Sequence, residues 1–137
     1  MGVSHYLANL KADVILERSL IKNYNVGLMA VVLGAFEQAV LLAIVRLNED
    51  AYGRAVFKEV ELHMERPVAA GAVQATLERL ERKGLISSHL GPGTPVRGGR
   101  SRRFYHMKPS GLRALNDARA AVENLWQGLK WPLKGVV

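Results

Sequence analysis

Seven basic side chains, Arg82, Lys83, Arg97, Arg100, Arg102, Arg103 and Lys108, fall within residues 82–108, a window that contains no Asp or Glu. Cations grouped without acids between them are equipped to neutralise a polyanion: they displace its counterions, and each guanidinium can add a bidentate hydrogen bond. The window's +7 equals the formal net charge of the whole chain, while residues 1–81 sum to −2 and residues 109–137 to +2. The footprint is therefore local. Charge alone leaves nucleic acid, lipid and acidic proteins open as partners.

Other chemistries are poorly supplied. His5, His63, His89 and His106 are scattered. The one local pair, Glu59 and His63 at i, i+4, lacks the HExxH arrangement that would set two imidazoles on one helix face. The glycine-rich stretch 91–99 is no phosphate-cradling P-loop, because no GKS/T follows it and the next element reads as a strand. With zero cysteines there is no disulfide framework, thiolate metal site or thiol catalysis, and a reducing cytoplasm fits. An enzyme is not expected, nor a metal or cofactor.

These cations must be positioned by a small fold. At 137 residues, 49 % of them apolar and 23 % charged, the chain has the composition of one globular domain with appendages. Residues 26–47 (VGLMAVVLGAFEQAVLLAIVRL) approach the length of a bilayer span, yet Glu37 and Gln38 sit at the middle and Gly27 and Gly34 interrupt the run, so a buried core helix is the better account. The N-terminus lacks the layout of a signal peptide. Leu7, Leu10, Val14 and Ile21 allow a weak amphipathic helix over residues 5–22.

Further along, residues 36–47 read as a first core helix, apolar nearly all round and ending at NED, with Asn48 or Asp50 free to cap the next helix over residues 52–65. Pro67 stops that second helix. A third, residues 70–83, sets Val73, Leu77 and Leu80 on one stripe and Gly71, Ala72, Ala75, Arg79 and Arg82 opposite, before Gly84 closes it. Residues 85–90 and 102–108 form a hairpin with an oversized glycine-rich tip. Pro109 then opens a last helix, in which Leu112, Leu115, Ala118, Val122, Leu125 and Leu129 make a seam that needs a partner surface. Trp126 and Trp131 beside it serve either a ligand pocket or a dimer interface.

Three helices followed by a basic hairpin describe a winged helix-turn-helix, in which the third helix enters the major groove and the second crosses the backbone. The segments LGAFEQAVLLAIVRL at 33–47, DAYG at 50–53, AGAVQATLERLERKGLI at 70–86 and GGRSRRFYHMKPSG at 98–111 resemble, in order and spacing, the PadR-like transcriptional regulators, particularly their short form with a single C-terminal helix. The resemblance implies a mainly α fold with a small β-hairpin, forming a homodimer that binds double-stranded operator DNA. It also implies a regulator that is usually a repressor and is sometimes released by a small aromatic or drug-like effector.

On this reading the chain divides into an N-terminal extension (1–32), the winged helix-turn-helix (33–108), a C-terminal dimerisation helix (109–130) and a tail (131–137). Ala72, Gln74, Ala75, Thr76 and Arg79 are expected to face base edges, and Arg82, Lys83, Arg97, Arg100, Arg102 and Arg103 mainly phosphates. Leu112, Leu115, Val122, Leu125, Trp126 and Leu129 are expected at the dimer interface. The chain departs from its relatives at Gln74, where they commonly carry tyrosine, and at Lys108, where they usually carry a capping threonine. Relatives often begin near the LGAFEQ segment, so Met29 is the expected physiological start. The alternative function is a winged-helix module that binds a protein partner, or DNA without sequence preference.

Overall fold

The computed structural model describes residues 32–92 and 101–135. The expected amphipathic helix over 5–22, the start at Met29 and the hairpin tip with Arg97 and Arg100 lie outside the described residues. The elements run α1 (Ala35–Leu47), a 3-10 turn (Asn48–Asp50), α2 (Gly53–Met64), α3 (Ala70–Arg82), β1 (Ile86–Leu90), β2 (Arg103–Met107) and α4 (Pro109–Leu125). Mostly helical with one antiparallel hairpin, this is the winged-helix architecture.

Helix α1 consists of good helix formers, and Val40, Leu41, Ala43 and Ile44 place four side chains in the core along one stripe. Its apolar character all round does not mean burial all round, because Leu42 and Val45 are exposed on the other side. At its start the Glu37 carboxylate accepts a hydrogen bond from the Gly34 backbone amide at 3.4 Å, the N3-to-N-cap half of a capping box. At its end Asn48 turns the chain with φ 52°. Neither Asn48 nor Asp50 caps α2; the N-cap is Tyr52, in extended conformation and with no side-chain acceptor. That extension has its own use. Ala51 accepts the Tyr105 backbone amide at 2.8 Å and Tyr52 bridges Phe104, so the chain before α2 adds a short third rung to the hairpin.

Val56 and Val60 anchor α2, which ends at Glu65 in the left-handed region, two residues before Pro67. Helix α3 buries Val73, Thr76, Leu77 and Leu80. Gly84, at φ +74°, lets the chain reverse while the Leu85 amide returns to the Leu80 carbonyl at 3.1 Å. The hairpin pairs Ile86 with Met107 through Leu90 with Arg103.

Lys108 is the N-cap of α4 and offers no side-chain acceptor, as its identity implied, and Pro109 occupies the first turn. Ser110 instead ties the helix start to the hairpin by donating to the Gly84 carbonyl at 2.6 Å. Gly111 lets α4 press against the strand entry, since a Cβ there would come within 2.3 Å of the Leu85 carbonyl oxygen. The helix is shorter than the expected 109–130. It closes at Leu125, and Gly128, at φ +79°, takes the chain out of helical geometry.

Candidate nucleic-acid interface

The inner stripe of α3 determines what its outer face can offer. With Val73, Leu77 and Leu80 in the core, Gly71, Ala72, Gln74, Ala75, Glu78, Arg79 and Arg82 are exposed. Four of the five residues expected to face base edges, Ala72, Gln74, Ala75 and Arg79, are among them. Thr76 is not. It is 2 % exposed, because three residues after Val73 and four before Leu80 it falls on the buried side, and its hydroxyl accepts from Arg79 Nη2 at 3.3 Å. Glu78, passed over in the sequence, stands on the outer face instead. Gln74 Nε2 donates to Glu78 Oε1 at 3.3 Å and lies 3.5 Å from the hydroxyl of Tyr105, so this amide is oriented from both sides.

The cations at the end of α3 divide into two groups. Lys83 Nζ donates to Glu37 Oε2 at 2.8 Å, and Arg79 Nε lies 3.7 Å from the same oxygen. Glu37, with its side chain 12 % exposed, thereby pins the C-terminal turn of α3 to the first turn of α1. Partial burial pushes its carboxyl upward. The hydrogen bonds from Lys83 and the Gly34 amide and the charges of Lys83 and Arg79 outweigh that, and the net direction is down from the ordinary glutamate range. Lys83, expected on phosphate, and Arg79, expected on base edges, turn their cationic groups toward a carboxylate of their own chain. Arg82 is exposed and makes no ion pair among the described residues.

The hairpin sorts its arginines in the same way. Arg102 places its guanidinium carbon 4.4 Å from the centroid of the Tyr52 ring, beside the start of α2. Arg103 points elsewhere: its Nη1 donates to Ser88 Oγ at 3.0 Å, and that hydroxyl donates to Glu81 Oε1 at 2.7 Å. Across the other face of the strands runs a ring ladder. Tyr52 meets Phe104 edge-on at 5.9 Å, Phe104 stacks with His89 at 5.7 Å, and His89 stacks with His106 at 4.6 Å. Strand alternation brings Phe104 and His106 onto one face, and register sets His89 beside both. The ladder braces the base of the wing.

Helix α4 buries only Gly111 and Ala114. Of the expected interface residues, Leu112, Val122, Leu125, Trp126 and Leu129 are exposed and Leu115 is half-buried; Leu125 reaches 79 %. Trp126 and Trp131 meet edge to face at 5.9 Å. Between α1, β2 and α4 lies a cleft of about 310 Å³ lined by Ile44, Val45, Asn48, His106, Met107 and Leu112. Glu59 and His63 form an ordinary pair along α2, with 3.2 Å between carboxylate and imidazole. Among the described residues, no helix is long and apolar enough to cross a membrane.

This arrangement matches known regulators. The model of the transcriptional regulator PadR-like family fits residues 41–117. Transcriptional regulator Rv3488 of Mycobacterium tuberculosis is 36 % identical over 78 residues, covering 57 % of this chain and 68 % of its own. The crystal structure of a PadR family transcriptional regulator from Eggerthella lenta is similar at TM-score 0.54 and 25 % identity, over 87 % of this chain and 92 % of that one. Bordetella bronchiseptica BpsR, whose DNA binding is regulated by 6-hydroxynicotinic acid, shares the fold at TM-score 0.51 and 16 % identity, over 88 % of each chain.

Proposed function

The chain belongs to the PadR-like family of transcriptional regulators, a family of DNA-binding proteins, and we propose that it is a homodimeric repressor acting at a pseudo-palindromic operator in the cytoplasm. One observation carries the reading: the exposed face of α3, with small Gly71, Ala72 and Ala75 at its N-terminal end, meets the hairpin where Gln74 Nε2 lies 3.5 Å from the Tyr105 hydroxyl, and that hairpin holds Arg102 beside the start of α2. Small residues admit the helix backbone close to the groove floor, and the wing cations engage the flanking phosphates. Ala72, Gln74 and Ala75 meet base edges, joined by Glu78, while Arg82, Arg102 and the tip residues Arg97 and Arg100 meet phosphate.

The exposed seam of α4, Leu112, Val122 and Leu125, with Trp126 and Leu129 just beyond the helix end, joins two copies and sets two copies of α3 one helical turn apart on the duplex. The cleft beside Leu112 suits a small aromatic effector, since it lies where the winged helix meets the dimerising helix and offers Asn48 and His106 as polar groups. Regulation of BpsR by 6-hydroxynicotinic acid supports an effector of that size.

Recovery of bound genomic DNA fragments tests the reading. A repeated, two-fold-symmetric sequence upstream of genes whose transcripts rise when the protein is deleted is the expected result. Competition by random DNA as effective as by the recovered fragments would replace it with a non-specific binding module.

A further inference from the structure

The Glu37 contacts contribute nothing to the proposed attachment to DNA as it stands. A carboxylate on α1 holds one cation of α3 at 2.8 Å and a second at 3.7 Å, and it accepts the Gly34 amide through its other oxygen. Every strong polar partner of Glu37 is accounted for within the domain. The hydrogen bonds from Lys83 and the Gly34 amide, with the nearby charge of Arg79, keep it ionised and in place, so the negative charge is a permanent part of the surface beside α3.

Resting on the proposed DNA binding, we infer that Glu37 is a specificity-determining residue: its single negative charge cancels one of the two positive charges that Lys83 and Arg79 bring to one flank of α3, and so holds sequence-independent attraction to phosphate down. DNA-binding proteins owe nearly all their non-specific affinity to phosphate neutralisation, and each cation engaged on phosphate adds about 0.9 to the slope of log affinity against log salt. Lys83 and Arg79, sharing one internal carboxylate, add a net single charge instead of two. The rest of the attraction is supplied by Arg82 and the wing, on the side of α3 where the base-facing residues stand. Glu37 therefore widens the gap between operator and random DNA without touching a base. It also directs Arg79 away from the groove, which leaves sequence reading to Gln74 and Glu78.

The test measures binding of full-length protein to a random-sequence duplex and to the recovered operator, over salt concentrations from 50 to 200 mM. In Glu37→Gln, whose amide oxygen can still accept the Gly34 hydrogen bond, random-duplex binding tightens. Its loss across that salt range grows by a further factor of roughly three to four, as one released positive charge per bound protomer requires. The operator-to-random ratio falls. The double variant Glu37→Gln/Lys83→Gln, a surface change that leaves the core untouched, carries the same net charge on this flank as the wild type and returns the slope to the wild-type value. An unchanged slope in Glu37→Gln, or a double variant whose slope stays at the raised Glu37→Gln value, overturns the inference while leaving DNA binding intact. Wild-type protein that binds no duplex in a salt-dependent way removes the parent reading and this one together.

Discussion

Arg102 lies over the Tyr52 ring, with its guanidinium carbon 4.4 Å from the ring centroid, and so joins the wing to the N-cap of α2. The contact orients the arginine before any ligand arrives and lowers the entropy lost when it engages a phosphate. Arg103, one residue later, is held through Ser88 to Glu81. The two neighbours therefore predict unequal effects. Arg102→Ala weakens binding to all sequences and lowers the salt slope by about one per protomer; Arg103→Ala changes either quantity less. Gel-shift titrations at several salt concentrations separate them, and equal effects would mean that the Ser88–Glu81 tie does not hold Arg103 back.

Tyr52→Phe keeps the ring and is expected to keep the affinity. Tyr52→Ala removes both the platform under Arg102 and the edge contact to Phe104 at 5.9 Å. A ring contact of this kind contributes about 0.5–1.5 kcal/mol beyond buried area, so weaker DNA binding accompanied by a lower denaturation midpoint is the expected pattern. Chemical denaturation of both variants, run beside the binding assay, checks it.

Thr76 separates fold from readout. Because it is buried, Thr76→Ala is expected to cost about 1 kcal/mol of stability and to leave the preferred DNA sequence unchanged. Gln74→Ala, on the exposed face, is expected to do the reverse. Selection of preferred sites from a random pool, together with urea denaturation, measures both; an altered motif in Thr76→Ala would place that residue back at the groove.

The helices were legible because burial follows period. Val56 with Val60, and Val73 with Leu77 and Leu80, repeat at helical spacing in the sequence and form one core in the structure. The hairpin was legible from its turn residues and strand-forming flanks. What depends on tertiary juxtaposition was not. Glu37 and Lys83 stand 46 positions apart, and nothing local marks them as partners; in the sequence Glu37 served only as an argument against a membrane span. Thr76 is a small polar residue of a type that can face base edges, yet its position between Val73 and Leu80 puts it inside. The third rung at Ala51 and Tyr52 follows from pairing with a distant strand, which no turn signal announces.

Glu37 also predicts a pH dependence. Its carboxyl titrates below the ordinary glutamate range in the folded protein, so its contribution to stability is fully present above that range and is lost as pH falls through the lowered folded value. Glu37→Gln is expected to remove that part of the acid limb and leave the rest. Thermal melting followed from neutral to acid pH checks the sign, and a variant whose melting temperature falls with acid as steeply as the wild type would show that the Lys83 and Arg79 contacts contribute nothing to folding.

The seam of α4 yields the sharpest separation between folding and assembly. Leu125 is 79 % exposed in a single chain, so Leu125→Asp removes almost no burial within the protomer and its melting as an isolated chain should barely change. In a dimer the same side chain is covered by the partner's seam. Burying a leucine fully stabilises by about 1.5–3 kcal/mol, and the symmetry of the pair counts the loss twice, with a desolvated carboxylate added on each side. On the proposed assembly, sedimentation velocity is expected to show a dimer for the wild type and a monomer for Leu125→Asp. Operator affinity should fall far more than random-duplex affinity, because only a dimer couples two half-sites. A Leu125→Asp protein that remains dimeric would move the interface away from this seam, toward the exposed Leu42 and Val45 face of α1.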